Sequence, residues 1–312
     1  MTAQKFELLF QEAYNKLNQE QKAAVDTLDG PVMVIAGPGT GKTQILSTRI
    51  ANLLYQSVAD PENILCLTYT EAGAIAMRKR LHELIGAGSK NVSIHTFHSF
   101  CNKVILENPG VFNTFSEFSI ADKLDEYEIL DSILLKMASS NTLFRPDQNY
   151  KSILGRILGL FQTVKKENWN VEELKLDIRK VIDDLEFQPQ FIYKRKTGKF
   201  EKGDLKIREL KIEELKFQQT ISALELYKEY NDQLRVNGLL NFNDLINNVI
   251  REFGNNNDLL STYQEKYQYI LVDEFQDTNG SQLDILNLLS SYWDNPNLFV
   301  VGDSDQAIYR FQ

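Results

Sequence analysis

The chain has 312 residues, 43% apolar and 25% charged, which favours two domains, or one domain with a large insertion, over a single small core. It contains no run of about 18 uninterrupted apolar residues, and its polar, mixed-charge N-terminus lacks a secretory pattern, which argues against a membrane-spanning helix and a leader. A net charge of −9 argues against nonspecific coating of nucleic acid without excluding a local basic groove, and the two cysteines, Cys66 and Cys101, read as reduced thiols of a cytoplasmic protein.

In chain order, short apolar strands alternate with amphipathic helices. Residues 32–36 (VMVIA) predict a strand, Gly37 to Gly41 a glycine-rich turn, and residues 42–56 a helix. A second strand at Ile64 to Tyr69 precedes a helix from Glu71 to Ile85, and a third strand spans Val92 to Thr96. Further strands are expected at Tyr269 to Val272 and Leu298 to Val301. The pattern implies an α/β fold, a parallel sheet flanked by helices on both faces. From Pro109 to Ser222 strand signals are few, and 121–138, 151–167, 170–186 and 205–234 have helical periodicity. This middle reads as a mainly helical insertion, entered at the Asn108-Pro109-Gly110 turn and left by a helix around Ile221 to Val236. The expected division is therefore 1–108 with 223–312 for the sheet domain and 109–222 for the inserted subdomain. Residues 194–216 hold nine Lys or Arg against five acids, which suits either a solvated face or a phosphate-contacting surface. The asparagines at 255–257 read as a loop.

Ala36-Gly37-Pro38-Gly39-Thr40-Gly41-Lys42-Thr43 lies between a strand and a helix, where a phosphate loop is placed. The strict pattern wants glycine where Ala36 stands, yet Gly37, Gly39 and Gly41 still let backbone N–H groups close around phosphate oxygens. Lys42 should then reach the β- and γ-phosphates and Thr43 should ligate Mg2+. Ile270 to Asn279 reads ILVDEFQDTN, a buried strand delivering adjacent carboxylates to its C-terminal edge. Asp273 is the natural partner of the metal, and Glu274 is placed to polarise an attacking water. Upstream, Leu17 to Gln21 (LNQEQ) offers Gln21, whose amide can both donate and accept at an adenine edge, although the pattern also suits a helix N-terminus. His95, His98 and Cys101 recur at spacings of three, but no fourth ligand is near enough in sequence for a zinc site.

With these residues assembled, the chain resembles the superfamily 1 DNA helicases of the UvrD/Rep/PcrA type, with the RecB/AddA branch close by. The motifs stand in family order: Leu17 to Gln21; Ala36 to Thr43; Leu67-Thr68-Tyr69-Thr70-Glu71-Ala72; His95-Thr96-Phe97-His98-Ser99-Phe100; Asn241-Phe242-Asn243-Asp244-Leu245; VDEFQDTN; and VVGDSDQAIYRF from Val300 to Phe311. The resemblance implies a RecA-like motor domain using ATP and Mg2+, with Gln276 and Gln306 coupling the γ-phosphate to the DNA side. It implies stacking of single-stranded bases on Tyr69 and Phe311 and contacts from Thr70, Thr96, His98, Tyr309 and Arg310. Single-stranded DNA and its junctions with duplex are the implied partners, and 3′ to 5′ translocation in repair or recombination the implied activity.

The sequence departs from the family pattern at Glu71, where many members have Asn, at Asn241, where Asp is usual, and at Gln44, where a basic residue is common. Glu71 and the run around Cys101 lean towards the RecB/AddA branch, which would make the chain the motor part of a helicase–nuclease. An ATP-gated nucleic-acid-binding module without translocation is a further alternative. Phe311-Gln312 falls inside the last motif, and the family's second motor domain, with its arginine fingers, would follow it. Residues 1–312 alone are therefore expected to hydrolyse ATP poorly and not to unwind DNA.

Overall fold

A computed structural model describes residues 3–37, 39–112, 118–136, 143 and 149–303, with side chains from residue 6 onward. Two compact units emerge from the contacts: Met1–Ser116 with Leu245–Gln312, and Glu117–Asp244.

The first unit is built on a five-stranded, all-parallel sheet. Its strands are β1 (Val32–Ile35), β2 (Ile64–Thr68), β3 (Ser93–Thr96), β6 (Tyr269–Val272) and β7 (Asn297–Gly302), in the order β1-β7-β6-β2-β3. The helices of this unit are α1 (Ala3–Asn15), α2 (Gln19–Asp26), α3 (Lys42–Tyr55), α4 (Glu71–Ile85), α5 (Phe97–Glu107), α12 (Asn257–Lys266) and α13 (Gly280–Ser290), together with most of α11 (Phe242–Asn255).

Alternation along the strands divides the core into two layers. Ile64, Cys66, Tyr269, Leu271, Phe299 and Val301 face one cluster with Ile45 and Ile50 of α3 and Met77 and Leu81 of α4. Leu65, Leu67, Ile270, Val272 and Val300 face the other, with Phe100 of α5, Val249 and Phe253 of α11, and Leu286 of α13. Every residue of β2 and β6 is buried, as a strand covered on both faces requires. Edge strand β1 departs from that expectation. Val32 and Val34 pack on the first cluster, whereas Met33 and Ile35 are 64% and 70% exposed.

The second unit is mainly helical: α6 (Lys123–Leu135), α7 (Tyr150–Lys166), α8 (Val171–Asp184), α9 (Ile207–Glu225) and α10 (Tyr227–Val236). A short parallel pair, β4 (Ser119–Ile120) with β5 (Leu239–Leu240), joins its two ends. The segment of helical periodicity over 205–234 is divided at Leu226 into α9 and α10. Tyr230 and Leu234 of α10 pack within this unit against Leu130 of α6 and Phe161 of α7. Between α8 and α9 the bridges Ile192↔Leu205 and Thr197↔Phe200 form a hairpin that apolar alternation does not announce. Asn256 is no mere loop residue. Its side chain accepts from the Leu259 N–H and starts α12 directly after α11.

Candidate nucleotide site

The phosphate loop follows β1 at the C-terminal edge of the sheet. Ladder pairing continues one residue past the strand, the Ala36 N–H donating to the Gly302 carbonyl at 2.8 Å. Gly39 and Gly41 have φ of +74° and +84°, a region that costs a side-chain-bearing residue steric energy. Gly41 is the N-cap of α3, so the first free amides of that helix point into the loop, as anion binding requires. Thr40 closes the turn, its hydroxyl donating to the Gly37 carbonyl at 2.7 Å. Lys42 and Thr43 are the first two residues of α3. Lys42 is buried and Thr43 half-buried.

Gln21 supports this loop from outside. Its amide oxygen accepts from the Asn18 N–H at 2.9 Å while Asn18 accepts from the Gln21 N–H at 2.8 Å, a capping box that starts α2. The Gln21 amide nitrogen donates to the Thr40 carbonyl at 3.0 Å. LNQEQ is thus a helix N-terminus, and it places Gln21 against the phosphate loop.

The paired acids leave β6 on the same edge. Asp273 extends the ladder, donating its N–H to the Leu67 carbonyl at 2.9 Å. Its carboxyl is pushed up to about 6, by burial first and by the neighbouring Glu274 second; the Glu274 N–H and Lys42 pull the other way. Glu274 adopts φ +51° and ψ +45°, a left-handed conformation uncommon for a glutamate. That turn brings Glu274 Oε2 to 2.7 Å from Lys42 Nζ and 2.7 Å from Gln276 Nε2. The Gln276 oxygen accepts from the Asp303 N–H at 2.9 Å, which ties the acid turn to the end of β7. Gly302 makes room for that bond, since a Cβ there would meet Gln276 Oε1 at 3.0 Å and the Gln276 nitrogen at 3.3 Å.

The donor set suits Mg2+. A hydroxyl at Thr43 and a carboxylate at Asp273 are hard oxygen ligands, and this ion takes one or two protein oxygens and completes its shell with water and phosphate.

The other expected positions lie at the C-terminal ends of β2 and β3. Tyr69 is 51% exposed just after β2. Thr70 is the N-cap of α4, its hydroxyl accepting from the Gly73 N–H at 3.0 Å. Thr96 is buried and caps α5, accepting from the Ser99 N–H at 3.1 Å and donating to Glu71 at 3.0 Å. His98 is half-buried in the first turn of α5. Pro38, Gln306, Tyr309, Arg310 and Phe311 fall outside the described residues. Among the described residues no group of three or more His, Cys, Asp or Glu could hold a metal ion; Cys101 lies in the core, and burial pulls His95 down to about 4.

Residues 17–312 match the family model of the UvrD/REP helicase N-terminal domain. The chain belongs to this family. It is 33% identical over 296 residues to the ATP-dependent DNA helicase PcrA of Bacillus subtilis, covering 95% of this chain and 34% of that protein. The PcrA proteins of Staphylococcus aureus and Staphylococcus epidermidis are each 32% identical, over 96% and 95% of this chain and 34% of theirs. The chain thus spans about a third of the length of these relatives.

Within the UvrD/Rep pattern, the departures have local reasons. Glu71 accepts the Thr96 hydroxyl and so joins α4 to the start of α5. Asn241 caps α11 in a reciprocal box with Asp244, and Asn caps about as well as Asp. Gln44 accepts from Arg80 at 3.3 Å and donates to the Ala13 carbonyl at 3.4 Å, linking α3 to α4 and α1. The sequence reading missed Arg49. Burial lowers its guanidinium to about 10, and it donates to the Ala24, Thr27 and Leu28 carbonyls, closing the end of α2 against α3. It also sits over the Phe299 ring. An arginine set among Ile45, Leu46, Ile50 and Leu53 was the available signal.

Proposed function

We propose that this chain is the N-terminal ATP-binding part of an ATP-dependent DNA helicase or translocase that moves 3′ to 5′ along single-stranded DNA in repair or recombination. The observation that carries the nucleotide part is the convergence of Lys42, Glu274 and Gln276 beside the Gly41 N-cap. In this reading the loop from Ala36 to Thr43, Pro38 included, wraps the phosphates of ATP and offers them its free N–H groups, and Gln21 reads adenine. Lys42 leaves Glu274 for the β- and γ-phosphates, which frees the Glu274 carboxylate to hold and deprotonate the attacking water. Thr43 and Asp273 hold Mg2+, which supplies charge neutralisation at the phosphates when bound. Gln276, with Gln306, carries the presence of the γ-phosphate towards β7.

The DNA part rests on Tyr69, exposed at the edge that carries the phosphate loop, and on the family of the chain. Stacking on an exposed ring is worth roughly 1–3 kcal/mol per base and tolerates any sequence. Phe311, Tyr309, Arg310, Thr70, Thr96 and His98 complete the proposed track, and single-stranded DNA, its junctions with duplex and a second motor domain are the proposed partners.

Nucleotide binding and single-turnover hydrolysis, with and without single-stranded DNA, test the reading in the full-length protein. Lys42→Ala should lower turnover by about 10²–10³ or more, by loss of a cation at the transferred group. Glu274→Gln should bind nucleotide yet lose about 10²–10⁴ in rate. Hydrolysis by the full-length protein that is indifferent to DNA would remove the translocase. Residues 1–312 alone should turn over ATP poorly in the same assay.

A further inference from the structure

At the far edge of the sheet, beside β3, lies an open cavity of about 650 Å3. Its walls come from the second half of α4, the turn leading into β3, β3 itself and α5. Four cations line it, Arg78, Lys79, Lys90 and Lys103, and no acid does. In a chain of net charge −9 this is a concentration of one sign. Acids occur only at its margin: Glu107 is 3.8 Å from Lys103, Glu71 is engaged by Thr96, and Glu62 receives Asn91 at 3.5 Å.

The cations are held in different ways. Arg78 donates to the Ile94 carbonyl and so covers the open edge of β3, where an unpaired strand would otherwise invite another. Lys79 and Lys90 are exposed, and among the described residues neither shows an ion pair. Lys103 is half-buried on α5. Concave, one-signed walls focus the field and raise the local concentration of an anion.

Resting on the DNA-translocase reading, we propose that this cavity binds the phosphodiester backbone of a DNA strand, outside the track marked by Tyr69. The lining contains no Phe, Tyr or Trp on which a base could stack, and its apolar members, Val92 and Ile94, are buried. A protein partner draws most of its binding energy from buried aromatic or apolar anchors, and none is offered here. Exposed point charges at Lys79 and Lys90, with Lys103 beside them, suit phosphates spaced along a backbone, read without regard to sequence.

The test uses the full chain and a mixed-sequence single-stranded oligonucleotide, with affinity measured between about 50 and about 200 mM salt. Each phosphate neutralised on a single strand contributes roughly 0.7 to the slope of log K against log salt. The Lys79→Ala/Lys90→Ala/Lys103→Ala variant should therefore lose about 2 from the slope and bind more weakly at low salt, with nucleotide binding unchanged. The matching triple Arg variant should keep the slope. Tyr69→Ala should weaken binding at every salt without changing the slope. A triple Ala variant with the slope and affinity of the wild type overturns the proposal and leaves the translocase reading standing. Poly-glutamate that binds more tightly than the oligonucleotide, and loses its binding in the same variant, overturns it in favour of an acidic protein. A wild type that binds nucleotide but no DNA at any salt overturns both.

Discussion

Lys42 and Glu274 hold each other across 232 positions of sequence at 2.7 Å, and neither could be paired by inspection of the chain alone. Their residue types announce a phosphate loop and an acid pair; the contact itself comes from two strands ending on one edge. His95 is a contrasting residue. Burial, with Lys103 and Arg78 adding to it, brings it from 6.5 to about 4, while Glu71 and Glu107 oppose the shift. The folded chain therefore binds fewer protons than the unfolded chain between these values, and stability falls as pH drops through the window from about 6.5 to about 4. His95→Gln should flatten the wild-type dependence there, read from urea midpoints at successive pH values. Curves that stay parallel would show that His95 contributes nothing to the linkage.

At the scale of elements, the site is made by how strands end. β1, β7 and β6 are neighbours in the sheet, so the phosphate loop, the acid turn and Asp303 end on one edge, where the side chains of Lys42 and Gln276 join them. Gly302 is the tightest point of that junction. Gly302→Ala should push Gln276 away from Asp303 and cost about 1–3 kcal/mol through overpacking. Urea denaturation measures the cost, and an unchanged midpoint would show that the turn yields freely. In the helical unit, Lys165 is buried against Asp244 at 2.9 Å, over the Tyr230 ring. Burial lowers the Lys165 ammonium and Asp244 opposes that shift. Because Asp244 also completes the cap of α11 with Asn241, one carboxylate serves a helix start and a buried charge.

For the whole molecule, the two units carry one tryptophan each, Trp169 in the helical unit and Trp293 in the sheet unit. Single-tryptophan variants, Trp293→Phe and Trp169→Phe, therefore report them separately. Mg2+ and nucleotide should move the unfolding midpoint seen by Trp293 and leave that seen by Trp169 in place. A ligand that binds one folded unit stabilises that unit by mass action, by about 2.7 kcal/mol at a hundredfold excess over Kd. Coincident shifts of both signals would mean that the units unfold as one.

Much of this fold is legible in the chain. Buried apolar runs at 64–68 and 269–272, the glycines before Lys42, and the Asp273-Glu274 pair depend on local patterns of spacing and charge that a sequence displays directly. Helices α5, α11, α12 and α13 lie outside the helices read from periodicity, although Ile246, Val249 and Phe253 recur at helical spacing in α11. Leu226, where α9 gives way to α10, and the hairpin between Ile192 and Leu205 depend on packing and pairing that no local pattern encodes. The same holds for Thr96, whose hydroxyl serves a cap and Glu71, and for Gln276, which joins Glu274 to Asp303. By itself the sequence determined which chemistry the chain carries, because backbone freedom at glycine and charge at Lys42, Asp273 and Glu274 are properties of the residues. Only the tertiary structure decided which of those groups touch, because sheet order brings distant segments to one edge, and that Arg78, Lys79, Lys90 and Lys103 share one cavity, because α4, β3 and α5 pack around it.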